Sequence, residues 1–344
     1  MTRLVLFLSI FIFLVSCSDD NADYRRAVKN ISVREIERHV GELGSDSFMG
    51  RKPFTEGERI TIGYLADQLR EIGFEPAFGD SYFQKVPMVE IRTYTDEIVL
   101  KNSSKIIFRF RTPDEAAIVS PLETSQVDLE DLPLVFAGFG IIAPEYGWND
   151  YDGLDIKGKI AVVLINDPGL YTGDTALFRG REMTYYGRWT YKYEEAARQG
   201  AAGIMIIHET EGAGYEYTIP RKSSISPRLY IRDYSKNNPV CSITGWFSSE
   251  SADRLLEHCG LKTDSLRMEA CRKGFRGFPL NIYGSVNCRN ELNYDESSNV
   301  AGILKGSEKP EECIIYTGHW DHFGIGEKEK GDSIYNGAVD NGTT

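Results

Sequence analysis

The sequence has no excess of positive charge. It carries 39 Lys and Arg against 51 Asp and Glu, a formal net charge of -12. That excludes a surface built to offset nucleic-acid phosphates, so no nucleic-acid partner is expected. Cysteine is scarce, and six in 344 residues do not make a disulfide scaffold. Beyond residue 16 no apolar stretch is long enough to span a bilayer. There is no Walker motif, and no Gly-x-Gly-x-x-Gly follows an early strand signal, which argues against phosphate-site and nicotinamide enzymes. What remains is ordinary folding material. Hydrophobic residues make up 41% and charged residues 26%, so the chain is neither disordered nor of low complexity. Its length suggests two domains more readily than one.

The N-terminus reads as a targeting segment. Arg3 supplies a positive start, and Leu4 to Val15 form an apolar run broken only by Ser9. The run is too short to span and suits a signal peptide. Leu14-Val15-Ser16-Cys17 resembles a bacterial lipobox. In that reading residues 1–16 are removed and Cys17 carries the lipid, which anchors the protein to a membrane of the bacterial cell envelope. Residues 17–27 would then be a solvated tether. Cys241, Cys259, Cys271, Cys288 and Cys313 remain, an odd number for internal pairing.

Apolar spacing predicts helices over 27–46 and from Thr55 to Gly73, the second opened by a Thr55/Glu58 capping box. Residues 82–116 alternate in short strand-like runs. The composition shifts near residue 120. Strands are expected at 132–138, 159–165 and 204–207, with a helix over about 189–199 between the last two. That is an α/β unit. After a further shift near 278, strands are expected at 299–304 and 313–318, the second delivering His319 at its carboxyl end, the edge where open α/β sheets place ligands.

The strongest chemical signals are Gly318-His319-Trp320-Asp321-His322-Phe323-Gly324 and Asn336-Gly337-Ala338-Val339-Asp340-Asn341-Gly342. A histidine at a strand end can offer one ring nitrogen to a metal. A carboxylate two residues on lies on the same side of an extended chain and can hold the other nitrogen's proton, fixing tautomer and orientation. Asp340, in a Gly-rich loop, can return to the site and use both oxygens. One carboxylate bridging two zinc ions is an economical way to hold them ~3.5–4 Å apart. Read as a bare pattern, His319 is equally a core histidine and Asp340-Asn341-Gly342 a turn.

Residues 318–344 resemble the M28 family of zinc peptidases, especially its bacterial aminopeptidase-type lipoproteins. The resemblance rests on His319, Asp321, Asp340 and Asn341, with the intervening Gly324-Ile325-Gly326 and Gly331 to Asn336. It implies His319 as a ligand of one zinc, Asp340 as the ligand bridging two Zn2+ ions, and Asp321 as the carboxylate that orients His319. It also implies a cis peptide between Asp340 and Asn341. Met49 to Gly73 resembles the family's first core helix and its lead-in. Ala137 to Ile141, Ala143 to Tyr146, Gly158 to Val163 and Glu195 to Gly203 resemble a protease-associated (PA) domain. The implied fold is α/β: a zinc-peptidase (phosphorylase/hydrolase-like) mixed-sheet sandwich, here incomplete, over 28–118 and 276–344, with a β-rich α/β PA domain inserted at 119–275.

The resemblance implies peptide or protein substrates and hydrolysis of N-terminal peptide bonds through a metal-activated water. It also implies four residues after the Asp-Asn loop: a catalytic Glu beside a Glu ligand, an Asp ligand and a His ligand. The expectation is therefore a C-terminally truncated enzyme, with little or no activity in residues 1–344 alone. His322 is expected to be structural rather than a ligand, and His39, His208 and His258 to be ordinary. A non-catalytic lipid-anchored binding protein and an M28-like cyclase or acyltransferase are the alternative functions.

Overall fold

The apolar runs with the clearest strand signal become neighbours. In the computed structural model, which describes residues 20–342, Ile160–Leu164 pairs in parallel with Gly203–Ile207, in register from Ile160 opposite Gly203 to Leu164 opposite Ile207. Gly203–Ile207 pairs in parallel with Ile243–Phe247, and Gln126–Phe136 runs parallel to Ile160–Leu164 on the other side. Every residue of the three strands 160–164, 203–207 and 243–247 is buried, the continuous apolar signature of a sheet covered on both faces. Each Ile or Val so buried contributes about 1.5–3 kcal/mol. The expected signal segment at 1–16, Cys17 and the last two threonines lie outside the described residues.

The chain divides into two compact units, Met1–Gln84 with Ser298–Thr344, and Lys85–Ser297. The Lys85–Ser297 unit holds a ten-stranded mixed sheet. Its parallel centre is flanked by antiparallel strands: Ala116–Val119 against Ile243–Phe247, and Phe278–Val300 against Gln126–Phe136. The hairpin Glu97–Asn102/Lys105–Arg111 and the strand Arg228–Ile231 extend it. The sheet thus takes in strands before residue 119 and after 275. Helix Trp189–Arg198 buries Tyr191, Lys192, Glu195, Ala196 and Ala197, as its α/β position requires. The aromatic run at 185–189 ties its loop to this unit's own core: Tyr186 packs edge-on to Phe178 and Tyr191 and donates to Glu145.

The other unit is helical with short ladders. Asp20–Lys29 is a helix, where a solvated tether was expected. Its last turn carries Arg26 and Lys29, which complement the helix dipole. Ser32 caps Val33–Leu43 by accepting from the Glu35 amide. Thr55 is the N-cap of Glu56–Glu71, but the expected capping box does not form. The Thr55 hydroxyl donates to the Lys52 carbonyl instead, and Glu58 accepts from the Phe54 amide. Phe54 is left-handed at φ 65°, which turns that amide towards Glu58.

The expected buried strand at 313–318 is also corrected. The segment makes no ladder, and Ile314, Ile315 and Tyr316 are 83%, 76% and 92% exposed. An apolar run becomes a buried strand only when neighbours accept its backbone groups, and the described residues supply none. Of the strand expected at 299–304, residues 299 and 300 end the long strand Phe278–Val300, and Gly302–Ile303 pairs antiparallel to Glu75–Pro76. The mixed sheet is therefore in residues 85–297, and no such sheet forms among the described residues of the unit that carries His319 and Asp340. No helix of the described residues is long and apolar enough to cross a membrane, and the five described cysteines are unpaired.

Candidate metal centre

Two loops of the helical unit bring the predicted residues together. The first is His319 to Phe323. The second follows the hairpin Gly324–Glu329/Asp332–Tyr335, whose register places Tyr335 opposite Gly324. The chain therefore returns at Asn336 beside the loop it left. Asn336 ties the return down, its side-chain amide donating to the Gly44 carbonyl and to Asp46, both at 2.8 Å.

His319 Nδ1 lies 3.1 Å from the Asp321 carbonyl oxygen and 3.3 Å from Asp321 Oδ1. Both are acceptors, so Nδ1 carries a hydrogen. Nε2 faces Asp340 Oδ1 at 3.3 Å. His322 repeats the arrangement. Its Nδ1 donates to the Tyr335 carbonyl at 2.7 Å, and its Nε2 faces Asp340 Oδ2 at 3.7 Å. Two imidazoles thus turn their Nε2 atoms towards the two oxygens of one carboxylate. A lone pair and a carboxylate oxygen repel unless a proton or a cation lies between them. The peptide bond between Asp340 and Asn341 is cis.

Glycine makes the closeness of the second loop feasible. Gly337 is left-handed at φ 56°, and a Cβ there would lie 2.5 Å from the His322 ring. Gly337→Ala is expected to push His322 away from Asp340 and to cost about 1–3 kcal/mol through strain and overpacking. Thermal melts measure the cost, and long-range imidazole nitrogen NMR reports the changed His322 environment. A variant with the wild-type melting temperature and an unchanged His322 spectrum would contradict this.

The sequence singled out His319, Asp321 and Asp340, and all three lie in one cluster. It assigned His322 to structure, and the fold places that ring against Asp340. It did not single out Arg51, which lies beneath both loops, 1% exposed. The guanidinium Nε donates to the Trp320 carbonyl at 2.8 Å, and the Arg51 carbonyl accepts from the His322 amide at 3.2 Å. Burial lowers the Arg51 pKa, opposed by the Asp321 and Asp340 carboxylates. A Gly-Arg pair in a loop was the only signal, and it is a weak one. His208 is a buried core histidine, held at Nε2 by the Tyr215 carbonyl, and burial lowers its pKa.

Imidazole nitrogen and carboxylate oxygen are zinc donors, and a ring whose other nitrogen is hydrogen-bonded is the usual form of a metal-binding histidine. In kind, His319 and Asp340 fit zinc. In number they are part of a set, because zinc takes four donors and no group of three or more His, Cys, Asp or Glu among the described residues is arranged to hold a metal.

Residues 299–344, which contain this cluster, match the model of Peptidase family M28. Among solved structures the chain is similar to an aminopeptidase from Aneurinibacillus sp. strain AM-1, at 17% identity and TM-score 0.34, covering 91% of this chain and 56% of that one. It is similar to a peptidase M28 precursor from Shewanella amazonensis SB2B, at 14% identity and TM-score 0.34, covering 90% and 60%. It is also similar to BSAP, a zinc aminopeptidase from Bacillus subtilis, at 16% identity and TM-score 0.32, covering 90% and 54%. The chain spans 54% to 60% of the length of these three proteins.

Proposed function

We propose that the protein is a zinc-dependent peptidase of the M28 type, acting as an aminopeptidase on peptide or protein substrates. The observation that carries the reading is the convergence of His319 and Asp340, with Asp321 on the far nitrogen of the His319 ring. The family match over the same residues supports it. In this reading His319 and Asp340 would hold zinc. Asp321 keeps the His319 proton on Nδ1 and so leaves Nε2 free. Zinc, when bound, supplies Lewis-acid polarisation of a peptide carbonyl and a lowered pKa for water. Lipid attachment at Cys17, a cell-envelope location and a PA-like role for the middle of the chain in substrate access belong to the same proposal.

The test uses the full-length protein. Zinc content, and hydrolysis of an aminoacyl nitroanilide before and after chelation, are measured in wild type, His319→Ala and Asp340→Ala. The expected result is stoichiometric zinc in wild type, chelator-sensitive hydrolysis, and a loss of about 100-fold or more in zinc affinity in both variants. Hydrolysis that survives chelation, or a wild type without zinc affinity, would overturn the reading.

A further inference from the structure

We propose that Arg51 is the positioning residue of this site: one guanidinium that sets the separation of the loop carrying His319 from the loop carrying Asp340. The inference rests on the peptidase reading for its functional consequence, but its geometry is independent of it.

A guanidinium has five N–H donors in a rigid planar fork. All five are used on main-chain carbonyls. Nε takes Trp320, at 2.8 Å. Nη1 takes Leu43 and, at 2.6 Å, Asn336. Nη2 takes Gly337 at 2.8 Å and Asp340 at 3.1 Å. The Trp320 carbonyl lies between His319 and Asp321, and the Asp340 carbonyl belongs to the ligand residue itself. A planar fork that fixes both carbonyls fixes the distance between the two peptide segments. The Leu43 bond ties the assembly to the end of helix Val33–Leu43.

The backbone at Arg51 is unusual in the same sense. Met49, Gly50 and Arg51 are left-handed in succession, at φ 52°, 65° and 51°. Non-glycine residues avoid that region, and a folded chain keeps them there only where the surroundings over-determine it. A Cβ at Gly50 would lie 2.6 Å from the Gly324 carbonyl oxygen and 2.7 Å from that of Tyr335. The turn therefore presses against both ends of the hairpin that joins the two loops, and delivers the Arg51 side chain beneath them. Lysine cannot replace it, because an ammonium has three donors on a single atom and cannot reach five acceptors spread around a plane.

The experiment uses the full-length protein as wild type, Arg51→Lys and Arg51→Met. The first readout is amide hydrogen exchange in metal-free protein. The expected result is a rise of about tenfold or more at 319–322 and 336–341 in both variants, with helix Glu56–Glu71 unchanged. The second readout is zinc affinity by chelator competition, with the visible spectrum of the Co2+ form. Affinity is expected to fall about 10–100-fold and the spectrum to change, with Arg51→Lys no better than Arg51→Met. Wild-type exchange in the two loops would overturn the proposal. So would exchange raised uniformly over residues 20–84, or rescue of zinc affinity by lysine, since each describes a residue that only fills space or supplies charge. If wild type itself takes no zinc, the peptidase reading fails, and the exchange readout alone upholds or overturns the positioning role.

Discussion

Replacing Lys192 with Met is expected to destabilise residues 85–297 by about 3–5 kcal/mol. Lys192 is fully buried on helix Trp189–Arg198, and its Nζ donates to the Asn166 and Tyr186 carbonyls, both at 2.7 Å. Methionine matches its length and removes both donors, leaving the buried Asn166 carbonyl and the part-buried Tyr186 carbonyl without these partners. It also removes the positive charge that faces Asp150 and Asp167, both buried. Asp150 accepts from the Phe139 and Ile141 amides at 3.0 Å and from the Trp148 indole at 2.9 Å. Those donors cannot leave without breaking the turn at 138–141. A buried charge stripped of its counter-charge is among the most costly single changes in a core.

The deficit should depend on pH. Burial raises the pKa of the Asp150 carboxyl and lowers that of the Lys192 ammonium, each shift opposed by the other group's charge. For Asp150 the folded value lies above the unfolded one, so its contribution to stability is full below the unfolded value and is lost as pH rises through the raised folded one. Removing Lys192 takes away a charge that favours the carboxylate, which raises that value further. The difference between variant and wild type is therefore expected to be larger at pH 8 than at pH 5. Urea denaturation at the two pH values measures it. A deficit below about 1 kcal/mol at pH 8, or one that shrinks from pH 5 to pH 8, would contradict the argument.

Residues 20–344 expressed alone are expected to self-associate through 313–316. Ile314, Ile315 and Tyr316 form a contiguous apolar run, each more than three-quarters exposed, with Leu304 at 70%. The run has the composition of a buried strand, with β-branched and aromatic residues and no charge. Its backbone forms no ladder among the described residues. Such a segment is a template for pairing with another chain. Sedimentation velocity at about 100 μM should show dimers or larger species, and a hydrophobic dye should bind. Ile314→Lys with Ile315→Lys should return the chain to a monomer without lowering its melting temperature, since neither side chain is packed. A wild-type chain that stays monomeric and does not bind the dye would sink the prediction.

Much of the central sheet was readable from local pattern. Continuous apolar runs bounded by Gly and charged residues at 159–165 and 204–207, with a helical stretch between them, leave few alternatives to a parallel pair with a crossover. The chemistry was also local in part. His319 and Asp321 are two residues apart, so their proximity follows from chain geometry.

What failed did so for identifiable reasons. The capping box depended on the φ of Phe54, which no spacing rule contains. The strand at 313–318 depended on neighbours rather than on its own composition.

Residue types and short spacings therefore determined which groups could do chemistry here: a histidine with its carboxylate two residues on, and an acid in a glycine-rich loop that can approach closely. Tertiary structure decided what those groups face. It turned the Nε2 atoms of His319 and His322 to opposite oxygens of Asp340 and placed Arg51 under the two loops, although Arg51 and Asp340 are 289 residues apart. A guanidinium bonded only to main-chain carbonyls leaves no mark on the sequence of its partners, because every residue carries a carbonyl. Only the fold specifies which five it holds.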